Sequence, residues 1–293
     1  DGVVSRNDVI IQGGSIVNGD VYGGYSGAEN VVLNAVEIAD STVNGNVTGG
    51  RSGDGTAESN GVILAGGTVT GDVVGGYGEA GAATGNSIFL LPGADGKATT
   101  FGKDSGLYGG LGAVASDNSL TLVGVKGVKV VDVGGFDKYQ FNLAPDTKAG
   151  DTLLAATDRV AFSDGGSMVD VDFSGSPIWD FGLSEDNKKI NLLTLKNGKF
   201  NGTPSLATGT YTLNGILSNY TEKLNADTNN VFVELEETPL ADGSEYVKVV
   251  GKNGNASGNT VVVPPSKDGA TVPNAIAALA ASKDDKTELT GNS

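Results

Sequence analysis

The sequence has no cysteine and no histidine among its 293 residues. Without thiols there is no disulfide framework and no thiolate metal site. Without imidazole, the usual Ser-His-Asp and Cys-His nucleophile arrangements and the zinc-protease motifs are excluded. No G-x-S-x-G, no P-loop lysine motif and no G-x-G-x-x-G in strand–helix context is present. Bases are scarce, 19 against 35 acids, for a net charge of −16. That balance speaks against nucleic acid, which needs a basic footprint, and against anionic lipid. Acidity suits a soluble protein outside the cell. Aromatics are 6% of the chain, so one large globular core is not expected, whereas many small cores repeated along an axis are. No run of 18 apolar residues exists, so no membrane-spanning helix is expected. The chain opens at Asp1 without a signal peptide, which reads as a mature or trimmed product. The lack of cysteine also suits a chain that crosses an outer membrane.

Glycine, by contrast, is abundant at 47 residues. Val21-Tyr22-Gly23-Gly24, Val47-Thr48-Gly49-Gly50 and Val73-Val74-Gly75-Gly76 recur with a strict period of 26. Val17, Val43 and Val69 form one column of that register, and Gly19, Gly45 and Gly71 the next. Upstream, an N-x-V-x-L pattern aligns Asn34, Asn60 and Asn86, with Asp8 at the same place in the first repeat. It also aligns Ile10, Val36, Val62 and Ile88, then Ile38, Leu64 and Leu90, with Gln12 out of pattern. Alternation of this kind points Val and Leu to one face of a strand. The Gly pair is expected to take positive φ and turn the chain. Polar loops at Tyr25–Glu29, Arg51–Ser59 and Tyr77–Gly85 are expected to bulge outward. Two short strands and a turn bury nothing alone, but stacked repeats line a continuous apolar interior. The expected fold is therefore all-β, a parallel β-solenoid (β-helix) of about 26-residue coils over residues 1–136. The Asn column is expected to bond from coil to coil. Leu107-Tyr108-Gly109-Gly110 comes 34 residues after the previous pair, which implies an insertion near 92–105.

From 137 to 265 the repeat gives way to irregular strands, read as a β-rich cap over the last coil. Residues 266–293 read as a polar tail with a short Ala-rich helix at Pro273–Ser282.

Two features together resemble a known family. One is G-x-V-x-G-[DN]-V-[YTV]-G-G, followed by a polar loop and N-x-V-x-L. The other is Phe136-Asp137-Lys138-Tyr139-Gln140-Phe141-Asn142-Leu143 with Gly150-Asp151-Thr152-Leu153-Leu154 downstream. They are similar to the β-helical passenger of autotransporter-type surface proteins of Gram-negative bacteria, here without a C-terminal barrel. The resemblance implies a secreted, cell-surface or outer-membrane-associated protein. It leaves function open, because that family includes adhesins, enzymes and cytotoxins.

The leading expectation is a non-enzymatic structural or adhesive module that displays repeated loops, with surface glycans or proteins as partners. A self-assembling fibre subunit is the alternative, with Thr260, Val261, Val262 and Val263 as a strand donated to another copy. A polysaccharide-active enzyme is the competing class. The best carboxylate pair for it, or for Ca²⁺, is Asp170 and Asp172, at i, i+2 on one strand face; no other cofactor is expected. A solvated strand face is the simpler explanation of that pair. Trp179 either stacks on a sugar or packs in the cap. Tyr22, Tyr25, Tyr77 and Tyr108 form either a contact surface or corner packing.

Overall fold

The computed structural model of the protein describes residues 2–163, 165–176, 179–208, 210–214, 218–239, 247–251, 262–263 and 287–290. Every regular element among them is a strand. None of these residues belongs to a helix able to cross a membrane. The chain divides into two compact units. The first comprises Asp1–Pro177, Phe181–Thr210 and Lys223–Leu235; the second comprises Ile178–Asp180, Tyr211–Glu222 and Glu236–Ser293.

In the first unit the chain visits three sheets in turn. One passage runs Ala35–Ala39, Thr42–Val43, then Val47–Ser52. The next runs Gly61–Ala65, Thr68–Val69, then Val73–Thr84, and each strand pairs in parallel with its counterpart 26 residues earlier. An eight-stranded sheet thus stacks Asp8–Ile11, Ala35–Ala39, Gly61–Ala65, Ser87–Leu91, Ser119–Val123, Lys138–Asn142, Met168–Asp172 and Ser205–Leu206 in sequence order. A four-stranded sheet holds Ile16–Val17, Thr42–Val43, Thr68–Val69 and Thr100–Phe101. Neither sheet closes on itself.

The alternation explains the core. Val36, Val62, Ile88 and Leu120 are one buried column, and Ile38, Leu64, Leu90 and Leu122 another. Val43 and Val69 face the interior from the four-stranded sheet, and Val21, Val47, Val73 and Leu107 from the largest. Each such side chain contributes roughly 1.5–3 kcal/mol relative to exposure.

The first repeat differs from its expected register. Val9 and Ile11, not Ile10 and Gln12, align with Val36 and Ile38, and Asn7, not Asp8, stands in the Asn column. That repeat is 27 residues long, and a one-residue slip exchanges the two faces of a strand. Ile10 is accordingly exposed. The insertion lies where expected: Thr68 pairs with Thr100 and Val69 with Phe101, a spacing of 32.

Parallel pairing continues beyond residue 136. Val128–Phe136 pairs with Thr152–Phe162, which pairs with Lys189–Leu195, and only there does Asn230–Pro239 add an antiparallel strand. Tyr139 and Phe141 carry on the two aliphatic columns, and Phe136, Tyr139, Phe162 and Phe200 contact edge to face at 5.1–5.6 Å. The motif fades because side chains and loop lengths change, while the backbone ladder needs neither. In the second unit, Thr287–Thr290 pairs antiparallel with Val247–Gly251, so part of the expected tail is a strand. The Ala-rich segment Pro273–Ser282 lies outside the described residues.

The Gly pairs are not turns. They lie inside strands such as Val47–Ser52, and none of them through Gly110 has positive φ. Their need for glycine is proximity. A Cβ on Gly49 would lie 2.5 Å from the Gly75 carbonyl oxygen, and one on Gly50 would lie 2.4 Å from the Asn60 amide. The left-handed bend falls instead just before each ladder Asn, at Arg6, Leu33, Ser59, Gly85 and Asp117 (φ 54–66°). Only one of these five is glycine, which hid the corner from sequence reasoning. We expect Gly50→Ala to destabilise by about 1–3 kcal/mol or more through overpacking. Gly27→Ala, where a Cβ meets nothing within 4 Å, should be near neutral. Urea unfolding of the two variants checks this; equal midpoints would contradict the packing argument.

Candidate functional site

The Asn column is a continuous ladder, exposed at Asn7 and buried at Asn34, Asn60, Asn86 and Asn118. Asn34 Oδ1 accepts from the backbone N–H and Nδ2 of Asn7 at 3.1 and 2.8 Å, and Asn60 Oδ1 accepts from both groups of Asn34 at 3.0 Å. Asn86 and Asn118 repeat the arrangement. The remaining Nδ2 proton of Asn60 goes to the Val31 carbonyl at 2.9 Å. The ladder ends at Asp137, whose Oδ2 accepts from the Asn118 N–H at 3.2 Å and which carries no side-chain amide to continue the pattern. The role of Asn34, Asn60 and Asn86 is therefore structural.

The surface that stands out is beside the Gly pairs. Tyr25, Arg51 and Tyr77 occupy successive positions of one column. The guanidinium carbon of Arg51 lies 5.9 Å from the Tyr25 ring centre and 5.1 Å from that of Tyr77. Glu79 pairs with Arg51 at 3.5 Å, and Tyr22 packs on Tyr25 with ring centres 5.7 Å apart. The Tyr22 hydroxyl donates to Asp20 Oδ2 at 3.1 Å. Interaction with the Tyr22 hydroxyl, then with Glu79, holds Arg51 above its ordinary pKa. The Asn46 backbone N–H, at 2.8 Å, holds the Asp20 carboxyl below its own. Asp20, Asn46 and Asp72 form an exposed ladder in which the central amide keeps the two carboxylates from meeting. Tyr25 is 60% exposed, so one ring at the end of the stack is free for contact. Tyr108 lies apart from this stack. Its hydroxyl donates to Asp132 at 3.2 Å, and burial followed by that carboxylate pushes it up to about 12.

The outer loops stack as well. Asp54 N–H bonds to the Gly27 carbonyl at 3.1 Å, Ala80 N–H to the Gly53 carbonyl at 2.8 Å, and buried Ser52 donates to the Glu29 carbonyl at 2.7 Å. They are held in register rather than bulging freely, and nearly all of the expected loop at Tyr77–Gly85 is strand, part of Val73–Thr84.

Asp170 and Asp172 do share one strand face, aligned with Gln140 and Asn142. Asp170 accepts from the Val171 N–H, and Asp172 from the N–H and hydroxyl of Ser174. No group of three potential acidic ligands occurs among the described residues. Trp179 is only 1% exposed, which leaves no ring face for a sugar. Val262–Val263 already pairs antiparallel with Val247 and Lys248, while Thr260 and Val261 lie outside the described residues. Val17, Val43 and Val69 stack as one column. Beside it, Gly45 sits so close to Gly19 that a Cβ would lie 2.4 Å from the Gly19 carbonyl, and a Cβ on Gly71 would lie 2.6 Å from the Gly45 carbonyl.

No family model, no curated protein and no solved structure matches the chain.

Proposed function

We propose that the protein is an extracellular or cell-surface structural and adhesive module without enzymatic activity, and that its first unit is a parallel β-solenoid. The observation that carries this reading is the column Tyr25–Arg51–Tyr77, exposed at Tyr25 and half-buried at Arg51 and Tyr77, beside bonded, in-register outer segments. Side chains one repeat apart stand about 4.8 Å from each other. Such an array presents a pre-ordered aromatic and cationic surface at little entropic cost, and many weak contacts add along it. The sequence resemblance to autotransporter passengers points the same way. The expected partners are surface glycans or proteins.

The test is adhesion of the purified protein to immobilised glycans and to cells. Wild type should bind, and Tyr25→Ser with Arg51→Ser and Tyr77→Ser combined should lose binding while keeping its circular dichroism. Binding unaffected by the triple change would remove this surface from the reading.

A second reading, a fibre subunit, draws on a separate observation. Val3–Ser5, Asp8–Ile11 and Ile16–Val17 are each the edge strand of their sheet. Edge strands invite pairing with another chain, although net repulsion opposes it. Electron microscopy in physiological salt decides: filaments favour this reading, and dispersed particles favour the first.

A further inference from the structure

The four-stranded sheet stops at Thr100–Phe101, where the eight-stranded sheet continues. The cause is local. After Ser119–Val123 the chain bends at Gly124 (φ +63°) and Gly127 (φ +75°). Their N–H groups bond onward, to the carbonyls of Asn142 and Thr152 at 2.8 Å. The chain there forms no strand on the open edge of Thr100–Phe101. The inserted residues before Thr100 close the other side. Between them lies a cavity of about 510 Å³, lined by Lys97, Phe101, Lys126, Lys129 and Asp146 among others.

Lys97, Lys126 and Lys129 share this wall with Asp146, while Asp95 and Asp151 pair with the first two; Lys97 is one of only four bases before residue 125 in a chain of net charge −16. Lys126 is fixed in place, 2.9 Å from Asp151 and 3.2 Å from Asp146. Lys97 is paired with Asp95 at 2.7 Å, but both are well exposed, and an exposed pair exchanges partners at little cost. Lys129 has no ion pair among the described residues and is exposed. The volume falls within the range of small-molecule sites. Its wall mixes cations, one aromatic ring and the open backbone edge of a strand.

We propose that this cavity binds an acidic sugar unit. The anionic group, carboxylate or sulfate, meets Lys97 and Lys129. The hydroxyls meet Asp146 and the free strand edge, and the apolar ring face meets Phe101. An insertion confined to one repeat commonly marks a binding face in repeat proteins, and here it supplies Lys97.

The experiment is an amide-shift titration of the whole protein at low salt with glucuronate, glucose, inorganic sulfate and inorganic phosphate. Glucuronate should shift residues 96–101 and 124–129, and glucose should not. Sulfate or phosphate shifting the same residues as strongly as glucuronate would show that the site reads the anion alone and would overturn the sugar assignment. Lys129→Glu should weaken glucuronate binding at least about tenfold. Lys129 is exposed, so its fold should persist, checked by circular dichroism. Salt should weaken binding in the same direction. No shift with any anion, or a shift that survives both Lys129→Glu and Lys97→Glu, overturns the proposal.

Discussion

Val43→Asp is expected to destabilise the first unit by about 5–7 kcal/mol at neutral pH. Val43 is fully buried in a column with Val17 and Val69. No cation stands in that column to receive a carboxylate. An isolated buried charge is so costly that the group takes up a proton instead. Protonating a carboxyl of ordinary pKa about 3.9 at neutral pH costs about 4 kcal/mol, and the lost valine transfer energy adds about 1.5–3 kcal/mol. The sign with pH follows. The folded-state pKa is raised, so the penalty is smallest below the unfolded pKa and grows as pH rises above it. Thr70→Asp, on an exposed residue directly after buried Val69, should change stability by no more than about 0.5 kcal/mol. Thermal unfolding of both variants at acid and neutral pH measures this. Equal melting points, or a Val43→Asp defect independent of pH, would contradict the inward placement of the column.

Asn60→Ala is expected to cost about 3–6 kcal/mol, because one side chain satisfies several buried groups at once. Its Oδ1 accepts two N–H groups from Asn34, and its Nδ2 serves the Val31 carbonyl and Asn86 Oδ1. Asn34, Asn60 and Asn86 are at most 1% exposed, so water cannot replace what is lost. Asn60→Asp should be worse than alanine. It keeps the acceptor but turns a second oxygen toward two acceptors and buries a charge. Asn44→Ala is the control. Asn44 bonds Asn18 across repeats at 2.8 Å in the same manner, but both are exposed and water takes over. Urea unfolding should rank the variants Asn60→Asp, Asn60→Ala, Asn44→Ala, from least to most stable. A silent Asn60→Ala would mean that the ladder only accompanies the fold.

Much of this is legible in the residues alone. The 26-residue period, the two alternating apolar columns and the Asn column each follow from residues at fixed spacing, and each has its counterpart in the strand registers. Of the expectations that differ from the structure, two show the physical reason most plainly. A Gly pair reads as a turn because positive φ is glycine's best-known use, but Gly49 and Gly50 are there because neighbouring backbone and amide leave no room for a Cβ. The spacing of 26 puts Asp8 in the Asn column, whereas the ladder needs a side-chain N–H donor there, which Asn7 provides and a carboxylate does not.

The sequence by itself determined what each repeat buries and how often, since alternation and period depend only on the residues of one strand and the next. Only the tertiary structure decided which residues from different repeats meet: Arg51 between Tyr25 and Tyr77, Gly50 against Asn60, and the lysine-lined cavity at Thr100–Phe101. The reason is that stacking brings residues 26 or 32 positions apart to within one strand spacing, about 4.8 Å. Where insertions change the count, as after Leu91, the neighbour is set by the backbone ladder rather than by the motif.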